Sequence, residues 1–321
     1  MISLVRVELT RYRSRRVILL LVALIAVATA LVAFKSAYDT RPPSANERAT
    51  AQATAESEAG RADIKNDVAS CENDPTQYLG PGTTVQECKD SLTPAGKSFF
   101  RAPLDLSGTL KGNGSGVAIL VVGLLIIAGS TFAGGDWASG SIRNQVLFEP
   151  RRSRLWAAKA IAVALASALI ALVVLGAFWL TLYLVASDRG VPHGSAVVGD
   201  VGWHLLRAVA LAAGAGLGAF ALTTIFRHSV ATMSLLFAYS VGGELLVLLL
   251  PIDGVARWSL GNNAFGWLET RLEFVDPTSR CNDLAGCGTE HISHLGSGLY
   301  LLVLLAVACT ASWASFRRRD L

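Results

Sequence analysis

Six apolar stretches, each long enough to cross a bilayer, divide this 321-residue chain and leave it few ways to fold. They run from Val17 to Phe34, Gly116 to Phe132, Leu155 to Ala186, His204 to Phe226, Ser229 to Leu250 and Gly298 to Phe316. A helix needs about 20 apolar residues to cross about 30 Å of hydrocarbon. Lipid offers no partners to backbone N–H and C=O groups, so each segment must satisfy its own. The expected fold is therefore an all-α integral membrane protein with six transmembrane helices. The third stretch is over-long, which tilt or a cytoplasmic extension accommodates. Composition agrees, with 52% of residues hydrophobic and only 16% charged, where soluble domains carry about 25% charge.

The first stretch follows a basic segment, as a signal-peptide core would. It is longer than a cleavable core, and no small-residue cleavage site follows before Lys35 and Tyr38, so it reads as a retained helix. Arginines set the orientation. Arg6, Arg11, Arg13, Arg15 and Arg16 precede the first span, Arg143, Arg151, Arg152 and Arg154 lie between the second and third, and Arg317, Arg318 and Arg319 follow the last. Short basic flanks resist translocation, which puts these segments and both termini in the cytoplasm of a bacterial-type plasma membrane. The segment 35–115 carries nine basic residues, but its acids offset them, and long loops cross largely regardless of charge.

The resulting layout is an amphipathic helix at 1–16, spans at 17–34, 116–132, 155–186, 204–226, 229–250 and 298–316, and outer segments at 35–115, 187–203 and 251–297. Cytoplasmic pieces fall at 133–154, 227–228 and 317–321. In the segment 1–16 Leu4, Val5, Leu9 and Tyr12 are apolar among arginines, the pattern of a helix lying on the membrane surface. Cys71 and Cys88 share one outer segment, and Cys281 and Cys287 share another, which suggests two local disulfides on the oxidising side. Cys281, Cys287, His291 and His294 also carry zinc-type ligands, but their spacing is not that of a structural zinc site, and no metal is expected. The outer segment 35–115 has little aliphatic mass before Phe99, Phe100, Leu104 and Leu106, so its bridge would supply much of its stability. In the last outer segment Trp258, Phe265, Trp267 and Phe274 interleave with charges, suiting a short helix at the headgroups or dipping into the outer leaflet.

Two glycine-bearing motifs have ordinary explanations. Ala95-Gly96-Lys97-Ser98 imitates the tail of a phosphate-binding loop, but Ser91 stands where the leading glycine belongs. Ala210, Gly214 and Gly218 place small residues every four positions of the fourth span, a spacing that lets helices approach closely. The loop after the second span carries more. Asp136 leaves the span, and Ile142, Val146 and Leu147 then fall near one face of a short helix that ends before Pro150. Such a helix, apolar on one side and bounded by Arg143 and Glu149, suits a groove on a soluble partner.

An acid leaving span two, then Gly140-Ser141-Ile142-Arg143, a helical stretch, Pro150-Arg151-Arg152-Ser153-Arg154 and Ala157-Ala158-Lys159 opening span three resembles the permeases of type-2 ATP-binding cassette exporters. The six-span layout extends that likeness over the whole chain, while its distinctive motif occupies Asp136 to Lys159. The resemblance implies that Asp136, Ile142, Arg143, Val146, Leu147, Phe148, Glu149, Arg151, Arg152 and Arg154 belong to a coupling segment that docks on a cytoplasmic ATPase subunit. It also implies that the N-terminal helix is the elbow helix, and that a second permease copy or paralogue completes a translocation path. ATP and magnesium would then sit in the ATPase, with no cofactor, catalytic residue or nucleic-acid partner in this chain. The outer segment between spans one and two is larger than in many members.

Glu244 is the one acid well inside a span, and it continues a polar line through Ser240, Thr232 and His228. An intramembrane carboxyl should face protein or water, and Arg207 lies at comparable depth as a partner. Mainly aliphatic, glycine and hydroxyl spans suit a lipid-like or amphipathic cargo. Two rivals stand beside the exporter: a polytopic receptor or scaffold, and an ion-coupled transporter built on Glu244.

Overall fold

The computed structural model describes residues 1–75, 83–191, 194–250, 252, 254–269, 271–275 and 289–318. Its chain divides into two compact units, Met1–Phe34 with Asp105–Leu321, and Lys35–Leu104.

The membrane unit begins with α1 (Ile2–Ser14) and, after Arg15 in extended geometry, α2 (Arg16–Asp39). In the second unit, α3 (Ala45–Ala59) starts at a capping box in which Ser44 and Glu47 satisfy each other's backbone N–H. Those hydrogen bonds hold the exposed Glu47 carboxyl down at about 2. Ala51 and Ala55, one turn apart, are buried where α3 packs on the 3₁₀ turn Gly96–Phe99. Next come α4 (Ala62–Asn73) and α5 (Val85–Leu92), which pack together, with the fully buried Cys71 on α4 and a Lys89–Glu72 ion pair at 2.7 Å.

The membrane unit continues with α6 (Leu106–Ala138), α7 (Ser141–Phe148), α8 (Arg152–Asp188) and α9 (Ser195–Phe226). The fifth crossing is in two pieces, α10 (Ser229–Ala238) and α11 (Glu244–Leu249), joined by the π-helical turn Tyr239–Gly243. Beyond it lie α12 (Leu260–Leu268), a two-stranded antiparallel ribbon of β1 (Arg271–Val275) and β2 (Thr289–Ser293), and α13 (His294–Arg318). Six helices among the described residues are long and apolar enough to cross a membrane, so the chain is a multi-pass membrane protein with an essentially all-α fold.

The helix at 260–268 falls within the segment where the aromatic pattern suggested a short helix. The ribbon was not anticipated, although Arg271-Leu272-Glu273-Phe274 alternates polar and apolar residues with the period of a strand. Leu272 pairs with Ile292 across it.

Helix α9 is the hub of the membrane unit, packing on α6, α8 and α13. It approaches α6 closely where a side chain on Gly129 would run into the Gly216 carbonyl, while a side chain on Gly216 would strike Ser167 Oγ of α8. Gly214 and Gly218, singled out by their spacing, instead face Leu305 of α13 at 3.5 and 3.6 Å, ordinary contact with room for a methyl group. Of the three glycines, Gly216 has the closest neighbours, and it lies two positions from both Gly214 and Gly218, off the expected row. Nearby, Thr223 Oγ1 lies 2.9 Å from Ser130 Oγ and 3.0 Å from Thr232 Oγ1, a buried hydroxyl group that joins α6, α9 and α10.

Candidate functional site

The site grows from one residue that the apolar runs do not tolerate unpaired. Asp136 lies in the last turn of α6 and is 1% exposed, and a carboxylate so buried is stable only if cations and donors surround it. Arg11 Nη2 on α1 donates to Oδ1 at 2.8 Å, Arg15 Nη2 makes a second ion pair with the same oxygen, and Lys159 Nζ on α8 meets Oδ2 at 2.5 Å. Glu8, also buried, completes the cluster, 3.0 Å from Lys159 Nζ and 3.1 Å from Arg11 Nη1. Two carboxylates and three cations thus tie α1, α6 and α8 together at the end of the bundle from which α7 departs.

Local sequence explains each placement. Leu4, Val5, Glu8, Leu9 and Tyr12 follow helical spacing and form the inward face of α1, so Glu8 is carried inside by its apolar neighbours. Beneath the cluster lies an apolar floor of Tyr12, Ile18, Ala128, Phe132, Val163 and Phe220. The Phe132 ring sits under two of the cations, with Arg15 Cζ 4.8 Å and Lys159 Nζ 5.3 Å from its centroid. Arg15 Nη1 also donates to the Thr131 and Phe132 carbonyls at 3.2 and 2.9 Å, a further pair of bonds to the backbone of α6. Glycine at 135 is what admits it, since a side chain there would collide with the guanidinium. Tyr12 packs 5.2 Å from Phe132, and burial pushes its phenol up to about 12.

The cluster reaches α7 through Ser141, whose Oγ lies 3.2 Å from Asp136 Oδ1 and accepts from Gln145 Nε2 at the same distance. Gly140, at φ +65°, makes the left-handed turn that swings α7 away from α6. Pro150 follows Glu149, which is extended at φ −129° and ends the helix; Glu149 Oε1 accepts from Arg151 N–H at 3.3 Å.

One expectation is corrected here. Ile142 was assigned to the face offered to a partner, yet it is 4% exposed and packs on Leu155 and Phe316, with Trp137, Val146 and Trp156 around it. Its apolar side chain gains more by closing the chain's own core than by facing water. The outward face consists of Arg143, Asn144, Leu147 and Phe148, a stripe at i, i+1, i+4 and i+5, with Leu147 81% and Phe148 90% exposed. Arg151 and Arg154 are exposed beside it, and Arg152 is half-buried.

The intramembrane set does not converge. Ser240 is exposed in the π-helical turn and bonds its own backbone, donating to Phe237 O, while Thr232 is buried in the hydroxyl group described above. Among the described residues the Glu244 carboxylate is met by Ser259 Oγ and the Gly261 N–H, not by Arg207. The Arg207 carbonyl accepts from Trp267 Nε1 at 2.9 Å. Cys281, Cys287 and Arg319 lie outside the described residues, as does the side chain of Cys88. Among the described residues no group of three or more His, Cys, Asp or Glu is placed to hold a metal ion.

Sequence reasoning placed Asp136 in this region but treated Arg11 and Arg15 as orientation signals, and it left Glu8 and Lys159 without a role. The signal was present, since Glu8 interrupts an apolar stripe and Lys159 stands inside an apolar run, and such charges seek partners. A buried ion cluster ties three helices together and joins them to one short helix through Ser141.

A family model described as ABC-2 family transporter protein matches residues 3–321. No curated protein and no solved structure matches the chain.

Proposed function

This chain belongs to the ABC-2 family of membrane transporters, and from that premise we propose that α7 is the element through which a separate cytoplasmic ATPase drives transport. Family membership makes the chain a polytopic permease subunit and implies such an ATPase partner. The observation that carries the proposal is the pairing of an outward Leu147–Phe148 face with a helix rooted in the Asp136 ion cluster. The apolar side chains supply the docking contact, Arg143 flanks it, and Arg151, Arg152 and Arg154 lie at the headgroups where α8 begins. Closure of the ATPases would press on this face, and Ser141, Asp136, Arg11, Arg15 and Lys159 would pass the displacement to α1, α6 and α8.

In this reading α7 and both termini are cytoplasmic, α1 is the elbow helix, and two permease copies or paralogues enclose the translocation path. ATP and magnesium belong to the partner. The cargo is lipid-like or amphipathic, the chemistry that aliphatic and hydroxyl-bearing spans favour. The outer unit is held by a Cys71–Cys88 bridge, and a mass shift on reduction of the peptide spanning both cysteines checks that pairing.

Phe148→Ala and Leu147→Ala test the reading. With the permease and its ATPase together in lipid nanodiscs, each substitution should leave thermal unfolding of the permease unchanged. Permease-dependent ATP turnover and co-purification should fall by roughly tenfold, the scale of losing an interface anchor. Unchanged turnover and co-purification in both variants would place the docking surface elsewhere.

A further inference from the structure

Helix α12 is held at its two ends in different ways. Near its C-terminus, Trp267 Nε1 donates to the Arg207 carbonyl of the central helix α9, and just ahead of its N-terminus Tyr300 Oη of α13 donates to the Trp258 carbonyl at 2.8 Å. Its first turn depends on the fifth crossing. Glu244 Oε1 accepts from the Gly261 N–H at 3.1 Å, and Ser259 Oγ, itself fully buried, lies 2.7 and 2.9 Å from the two carboxylate oxygens. Tyr239 Oη accepts from the Leu260 N–H at 3.2 Å, and Ser259 Oγ accepts from the Asn262 N–H at 3.0 Å. The first N–H groups of a helix have no partner within it, and here two of those three are given to side chains of another crossing.

Tyr239 and Glu244 stand immediately at the start and just beyond the end of the π-helical turn Tyr239–Gly243. That turn contains Gly242 and Gly243, and a side chain at 243 would press on the Tyr239 ring at 2.9 Å. The wider turn brings the phenol and the carboxylate to the same partner. The fifth crossing is also the least buried of the six among the described residues. An element with few apolar contacts, joined to its neighbour by a few polar bonds, opens at lower cost than a packed core helix.

We propose that Glu244 is a positioning residue of the transport cycle, its carboxylate clasping the first turn of α12 in one nucleotide state of the ATPase partner and releasing it in the other. This rests on the reading of the chain as an ATPase-driven permease. In this role Glu244 acts through α12. It sets where α12 stands relative to α10 and α11, and a carboxylate at this depth is kept by the donors it satisfies.

Hydrogen exchange on the permease–ATPase complex in lipid nanodiscs, compared between the nucleotide-free and vanadate-trapped states, tests it. In the unsubstituted protein the amides of 260–263 should differ between the two states by about tenfold, the scale of one hydrogen bond to a charged acceptor. Glu244→Ala should abolish that difference and leave those amides fast in both states, with α9 protection unchanged. Glu244→Gln, which keeps an accepting oxygen and the side-chain volume, should retain part of the difference, and it carries the test if the alanine variant does not fold. A state-dependent change at α7 with none at 260–263 would overturn the clasp alone. The same holds if the full difference persists in Glu244→Ala, or if faster exchange spreads evenly over every helix. No change at either α7 or 260–263 would overturn both the clasp and the ATPase reading.

Discussion

Asp136→Ala is expected to destabilise the membrane unit by about 3–5 kcal/mol, the cost of removing one partner from a buried charge group. The substitution leaves Arg11 and the 3%-exposed Lys159 with Glu8 as their remaining carboxylate and Arg15 with only the Thr131 and Phe132 carbonyls, and it removes the side-chain acceptor of Ser141. Thermal unfolding in lipid nanodiscs measures the loss. Asp136→Asn keeps an accepting oxygen and the volume but not the charge, so it should lie between alanine and the native residue. Lys159→Met should cost less than Asp136→Ala, because Arg11 and Arg15 still neutralise Asp136 and the methionine stem still packs over the Phe132 ring. If Asp136→Ala shifted stability by less than about 0.5 kcal/mol, the range of ordinary surface changes, the cluster would not be what joins α1 to α6 and α8.

Gly129→Val should be the second most damaging change, because its side chain is aimed at the Gly216 carbonyl, backbone of the neighbouring helix α9. Overpacking of a well-packed interior costs about 1–3 kcal/mol and more where the obstacle is backbone that cannot rotate away. Relief would require α6 and α9 to separate, which would also pull apart the Ser130, Thr223 and Thr232 hydroxyls. Gly214→Ala and Gly218→Ala are the controls. Each adds a methyl group beside Leu305 at ordinary contact distance, and each should stay within about 0.5 kcal/mol of the parent in the same unfolding assay. Equal damage at 129 and 214 would mean that helix approach depends on the four-residue row after all.

These two predictions mark where reading the chain succeeds and where it stops. Membrane crossings are legible because lipid imposes a length and an apolar composition that nothing else in a sequence imitates. The short helix ending at Pro150 was legible for a similar reason, since proline restricts the residue before it whatever the tertiary context. Which side of that helix faces inward was not. Ile142 and Leu147 both look apolar in sequence, and only the presence of Leu155 and Phe316 beneath the helix decides that Ile142 is covered and Leu147 is not. The charge cluster was half legible. Asp136 stood out where the chain leaves an apolar run, whereas Glu8 and Lys159, separated by 151 positions, meet only because three helices converge. Glu244 was recognised as costly at its depth, but its partner was sought among cations. The structure satisfies it with a serine hydroxyl and a backbone N–H at the start of a helix, donors with no distinctive sequence mark.

Crosslinking from residue 148 tests the central claim most directly. A photoreactive amino acid placed at Phe148, on the exposed face of α7, should yield an adduct with the ATPase subunit in membranes that contain both proteins, while the same group at the buried Ile142 should yield none. Absence of an adduct at 148 from a complex that co-purifies intact, or labelling of a cysteine at 148 by an impermeant thiol reagent added to whole cells, would contradict the account.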